Sequence, residues 1–121
     1  MRKIFLACPY RHADSAIVEQ RFEISNRVAA QIARTGAVVF SQVSMSHPIN
    51  AHLADLDKAG IGRLWAPIDQ VFMEAMEELV VIDEPGWKES AGVAREIAFF
   101  KERNKAVSLW SEIQADFQGQ P

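Results

Sequence analysis

Apolar residues along this chain fall into two patterns, short continuous blocks and longer stretches at helical spacing. Four blocks, "KIFLAC" at 3–8, "AVVF" at 37–40, "LVVID" at 79–83 and "AVSLW" at 106–110, read as buried strands. Runs this short and this rich in β-branched residues rarely form isolated helices. Between the first two, Ile17, Phe22, Ile24, Val28, Ala29, Ile32 and Ala33 recur at roughly helical spacing, with Ser15 as N-cap and Gly36 as the stop. "PIDQVFMEAMEE", from about Pro67 to Glu78, predicts a helix that carries its proline in the tolerated first turn. Ser90 to Glu102 predicts another. The pattern loosens after Ser41, and the 42–66 connection reads as a long functional loop with one short helical segment at about 49–58 and turns at Gly60 and Gly62. The tail from about Asp116 reads as polar and loose.

Strand and helix thus alternate, the pattern of a doubly wound, flavodoxin-like parallel sheet of four to five strands in a single three-layer α/β domain covering residues 1–121. Ligands of such sheets gather beyond the carboxyl ends of the strands, where strand order reverses. That rule nominates Cys8 to His12, Ser41 to His47, Asp83 to Gly92 and the segment after Trp110.

With 121 residues, 49% hydrophobic and 24% charged, the chain is expected to bury one continuous core. A net charge of -3 offers no general attraction to polyanions, so no nucleic acid polymer is expected and a nucleotide would need local contacts. The single cysteine, Cys8, excludes an internal disulfide and suits a reducing cytoplasm. Only Ile4 to Ala7 separate the basic pair from Cys8, too short for a secretory apolar core, and no run approaches the roughly 18 residues that span a bilayer. A cytoplasmic protein without membrane contact is therefore expected.

Glu96 poses the sharpest chemical question. At about 100° per residue, Val93, Ile97 and Phe100 share one helix face, and Glu96 lies only about 40° from Phe100. Such a carboxylate either leans out to water or works in a cleft. Gly92 and Ala94 leave little bulk near it, while Ser90 and the free N–H groups of the first turn suit an anion. Asp69, expected in the first turn of its helix, is either a dipole-favoured start residue or a second carboxylate that divides labour with Glu96. Arg11 is either an exposed charge or a fork for phosphate, and Tyr10 can stack on a base. Cys8 reads as a small buried residue, and with Pro9 it begins the first ligand loop. Ser41, Ser44, Ser46 and His47 offer hydrogen bonds after the second strand. Trp87 suits the wall of a base pocket, whereas Trp65 and Trp110 read as packing residues. His12, His47 and His52 lack metal spacing, and phosphate-loop and dinucleotide glycine motifs are absent, so no metal or cofactor is expected.

Taken in order, "KIFLACPY", "VVFSQVSMSHPI", "LWAPID", "LVVID", "PGWKESAGVAREI" and "VSLW" resemble a bacterial branch of small proteins in the nucleoside 2-deoxyribosyltransferase superfamily, over nearly the whole chain. The resemblance implies that Glu96 attacks the anomeric carbon of a nucleoside or nucleotide and that Asp69 positions the sugar or assists the leaving base. It also implies that Ser90 and Arg11 lie near a phosphate. A serine at position 90, where transferase members often have aspartate, favours a phosphorylated substrate. Cys8 and Ala94 replace glycines common in the family, and the 42–66 connection differs. Family members pair, with the partner completing the pocket, so a homodimer or higher homo-oligomer is expected, with apolar faces around Trp65 and Phe72. The implied function is an N-glycosidase or deoxyribosyltransferase working through a glycosyl-enzyme on Glu96. The alternatives are a catalytically silent nucleotide-binding or sensory module, in which Glu96 hydrogen-bonds a ribose, and a redox protein acting through Cys8.

Overall fold

The computed structural model, which describes residues 1–118, builds one sheet from β1 (Lys3–Ala7), β2 (Val38–Ser41), β3 (Glu78–Val81) and β4 (Ala106–Leu109). All pairings are parallel, in the order β2-β1-β3-β4, with Leu6 beside Ser41, Ala7 beside Val81 and Val81 beside Leu109. The chain runs to one side of β1 for β2, then crosses to the other side for β3 and β4. Strand order therefore reverses between β1 and β3, where a crevice for ligands is expected.

Five helices join and cover the strands: α1 (Ser15–Ala33), α2 (Gln42–Asn50), α3 (Lys58–Ala75), α4 (Ala91–Glu102) and α5 (Trp110–Ile113). Successive strand residues point to opposite faces, so each strand feeds two cores. Ile4, Leu6, Val80 and Ile82 pack under Val28 and Ile32 of α1, with Trp110 and Phe117. Phe5, Ala7, Leu79 and Val81 pack under Val93 and Phe100 of α4, with Phe72, Met73 and Met76 from the end of α3. Phe40 and Phe72 stack in parallel at 4.0 Å on that face. Apolar cover on both faces explains why the strands read as continuous apolar runs. The architecture is α/β, three-layered and flavodoxin-like, with four strands.

Local chemistry sets the helix ends, and here several expectations need correction. Asp14, one residue before Ser15, caps α1 by accepting from the Ala16 N–H at 2.9 Å. The 42–66 segment is mostly helical: α2 starts directly from β2, and only residues 51–57 turn before α3. The short helix expected at 49–58 therefore gives way to that turn. Asp57 starts α3 by accepting from the Gly60 N–H at 2.7 Å, and a Cβ on Gly60 would lie 3.1 Å from the capping oxygen. Gly60 thus accommodates a cap and does not mark a loop. Pro67 lies inside α3 and Pro48 inside α2. Each removes one helical N–H, yet the helices continue, with Val43 and Trp65 buried and Phe72 packed against the core.

The tail is also better anchored than its polarity suggests. Phe117 is buried and stacks on Trp110 at 5.7 Å, while Arg2 lies 4.7 Å over its ring and bonds Glu78 at 3.0 Å and Asp116 at 3.3 Å. Residues 119–121 of the expected loose tail lie outside the described residues. Among the described residues no helix is long and apolar enough to cross a membrane. Replacing Phe117 with alanine is expected to cost about 3 kcal/mol of stability; a urea midpoint unchanged from wild type would contradict its place in the core.

Candidate functional site

The loops leaving β1 and β3 flank the reversal point. They are held together by Arg21 of α1, which donates to the Arg11 carbonyl at 3.1 Å and the Pro85 carbonyl at 2.9 Å and is only 7% exposed. Gly86 is demanded at this junction twice over. Its φ of +97° suits glycine, and an added Cβ would lie 2.9 Å from an Arg21 guanidinium nitrogen. Arg21 escaped the sequence reading because it stands among polar α1 residues, and its burial is created by two loops remote in sequence.

α3 and α4 cover the same face of the sheet and bring Asp69 and Glu96 into electrostatic contact. Asp69 lies past the middle of α3, not in a first turn, so the helix-start explanation for it does not apply. It accepts from the Gln42 side-chain amide at 3.3 Å and 3.4 Å. Burial pushes its acid up to about 6, against the lowering effect of Gln42 and Arg95. Glu96 is half-buried, and burial together with the charge of Asp69 pushes it up to about 8, offset in part by Arg95. Two like charges in a poorly solvated place resist simultaneous ionisation, so around neutral pH the pair holds one proton, mainly on Glu96. Gln42 and Arg95 are neighbours of the pair that sequence reasoning missed. Arg95 was visible beside Glu96, but nothing in its position told which way it turns.

Ser90 caps α4, its oxygen accepting from the Val93 N–H at 3.2 Å, which leaves its own O–H free to donate. A Cβ on Gly92 would meet only Arg95 and Ser90 side-chain atoms, at 3.8 Å and 3.9 Å, so the space over this helix start is open. Trp87 packs against the Val93 and Phe100 core. Cys8 donates to the Arg21 carbonyl at 3.8 Å. Burial pushes its thiol up to about 11, with Glu84 and Glu96 adding to the rise and Ser25 and Arg21 opposing it. At neutral pH it is a protonated packing group and a poor nucleophile. Glu96 influences Cys8 at the end of β1, and Asp69 is bonded to Gln42 directly after the end of β2, so both carboxyl groups belong to this edge of the sheet.

Other expected site residues group elsewhere. Arg11 is exposed and donates to the Lys58 carbonyl at 2.9 Å, while the Ser41 hydroxyl pairs with Ser44 at 2.6 Å. Tyr10 and His47 meet each other: the phenol lies 2.7 Å from Nδ1, and Nε2 lies 2.9 Å from the Glu19 carboxylate. A crevice of about 420 Å³ opens on the α1 face between α1 and α5, lined by Arg27, Gln31, Asp83, Trp110, Ser111 and Gln114 among others. Burial raises the Asp83 acid, but hydrogen bonds from Ser111 outweigh it and hold the group below its ordinary value. Glu96 and Asp69 line neither this crevice nor the shallower one along α1. Among the described residues no group of three or more His, Cys, Asp or Glu side chains is arranged to hold a metal.

Both carboxyls keep their protons to higher pH in the folded chain than their ordinary values of 3.8 and 4.5 allow. The folded state therefore binds more protons than the unfolded one between those values and the raised ones. The stability contributed by the protonated pair is complete below pH 3.8 and is lost as pH rises through about 6 for Asp69 and about 8 for Glu96. Glu96→Gln is expected to raise stability above that range by about 1 kcal/mol or more, a shift of several degrees in Tm, and to leave it nearly unchanged in acid. Thermal melts at both pH extremes check this, and an unchanged alkaline Tm would contradict the assignment.

No curated protein matches the chain. A family match does cover nearly all the elements described above, from the residue before β1 into α5. On that match, over residues 2–112, the chain belongs to the family described as Domain of unknown function (DUF1937).

Proposed function

We propose that the protein is an N-glycosidase or deoxyribosyltransferase-like enzyme that cleaves the N-glycosidic bond of a nucleoside or nucleoside 5′-monophosphate. The observation that carries this reading is the Asp69–Glu96 pair: two coupled, half-buried carboxyl groups on neighbouring helices, within electrostatic range of the end of the central strand, with acidities pushed apart. The likeness of "PGWKESAGVAREI" to the nucleoside 2-deoxyribosyltransferase superfamily supports the same assignment.

In this mechanism ionised Glu96 forms a bond to the anomeric carbon while the carbon–nitrogen bond breaks and its electron pair leaves with the base. Asp69 faces the sugar or base. Water then hydrolyses the glycosyl ester, or a second base takes the sugar. The Ser90 O–H and the α4 amides hold the 5′ end, and Arg11 joins them by giving up its contact with Lys58. Because attack needs the carboxylate, the developing positive charge on the sugar must favour ionisation of Glu96. The protein works in the cytoplasm on a small-molecule substrate, as a homodimer or higher oligomer. Ile68 and Val71, exposed on α3 near Trp65 and Phe72 in sequence, supply apolar surface for the second copy.

One observation favours a second reading. Below about pH 8 the protonated Glu96 is a hydrogen-bond donor as well as an acceptor, which suits a silent module that grips a ribose hydroxyl. Incubation with a panel of nucleosides and nucleotides, followed chromatographically for freed base and in parallel by thermal shift, separates the two. The enzyme releases base, whereas the module gains stability without release. For the enzyme, Glu96→Gln is expected to lower kcat by about a thousandfold or more while ligand affinity changes little. Its kcat/KM should rise with pH through the region of about 8, where Glu96 becomes charged. Normal turnover by the glutamine variant would overturn the nucleophile assignment.

A further inference from the structure

Tyr10 lies in a chain of side-chain hydrogen bonds whose direction can be read from its ends. Trp65 can only donate, so its indole N–H fixes the Asn50 carbonyl toward it at 2.8 Å and turns the Asn50 amide N–H toward the Tyr10 oxygen at 3.4 Å. At the other end an ionised Glu19 can only accept, so Nε2 of His47 carries a proton toward it at 2.9 Å. In the neutral ring Nδ1 is then bare, and it accepts the Tyr10 O–H at 2.7 Å. Phe22 packs on the imidazole at 4.5 Å and Tyr10 meets it edge-on at 5.5 Å, so the ring has little freedom to turn. The result is a hydroxyl, a base and an orienting carboxylate in the order that activates nucleophiles. The chain leads from half-buried Tyr10 through His47, 20% exposed, to Glu19, 62% exposed. The carboxylate chemistry proposed above uses none of these three groups.

We infer that Tyr10, His47 and Glu19 form a base-activated phenol, a second reactive centre, which takes a proton from a hydroxyl-bearing acceptor, water or a sugar alcohol, at the end of β1. The acceptor gives its proton to the Tyr10 oxygen as Tyr10 passes its own to Nδ1. His47 becomes an imidazolium held by the Glu19 carboxylate, and the acceptor oxygen is left with the electron pair that attacks. The activated phenol does not depend on the proposed function.

Tyr10 is the single tyrosine of the chain, so its reactivity can be measured without a substrate. An arylsulfonyl fluoride forms a bond from sulfur to the Tyr10 oxygen, expels fluoride and leaves the phenolic proton on His47. Peptide mass spectrometry locates and times the adduct, with N-acetyltyrosinamide as the unactivated reference. Tyr10 is expected to react at least about tenfold faster than the reference, and His47→Gln should remove that advantage. Glu19→Gln alters an exposed side chain, leaves the fold intact and should slow the reaction about threefold or more; it decides the matter if His47→Gln does not fold. A Tyr10 rate at or below the reference, or an unchanged rate in Glu19→Gln, overturns the inference and leaves a purely structural clasp between α1 and α2. Because labelling needs no nucleoside, its failure with base release intact, or the reverse, tells the two proposals apart.

Discussion

Parallel pairing of β1 with β3, Ile4 to Ala7 against Glu78 to Val81, is the interaction on which the rest of the molecule depends. These strands are buried on both faces, and a fully buried side chain such as Phe5, Ile4 or Leu79 contributes about 1.5–3 kcal/mol by leaving water. The pairing also has a geometric consequence. Both strands end at the same edge of the sheet, so the loops beginning at Cys8 and Ile82 emerge side by side, although more than seventy residues separate them. Arg21 then ties those loops together through two carbonyls.

Burying acids above this edge works against stability. Asp69 and Glu96 hold each other in unfavourable electrostatic contact, relieved only in part by the Gln42 amide and the Arg95 guanidinium. A chain selected for stability alone gains nothing from such a pair, since an amide in either position would remove the repulsion. Sites of this kind commonly carry function, because a carboxyl group held near neutral acidity can change charge when a ligand arrives. The Tyr10, His47 and Glu19 chain is a contrasting solution, with every member satisfied and one exposed end. Continued through Asn50 to Trp65, it links α1 to α3 and so braces α2, which holds Gln42 against Asp69.

Where sequence reasoning failed, the cause was long-range packing overriding a local signal. Gly60 and Gly62 read as turns, yet both lie within α3, whose Trp65 is buried and whose Phe72 packs against the core. The expected helical position of Asp69 was wrong, because α3 starts at Lys58, nine residues before Pro67. Arg21, Gln42, Arg95, Glu19 and Asn50 were overlooked, each an ordinary polar residue until a partner from another element meets it.

The sequence by itself determined the alternation of strands and helices and the two-faced burial of the sheet. Those properties follow from periodicity and from the fixed handedness of parallel connections, which are local and general. It also singled out Glu96, since an acid beside the apolar stripe of a helix is anomalous wherever that helix packs. Only the tertiary structure decided that Asp69 comes within electrostatic range of Glu96, that Arg21 locks two loops, that Tyr10 finds His47 and Glu19, and that a crevice opens on the α1 face between α1 and α5. Distances between side chains on different elements depend on how those elements dock, and docking is set by the packing of the whole core.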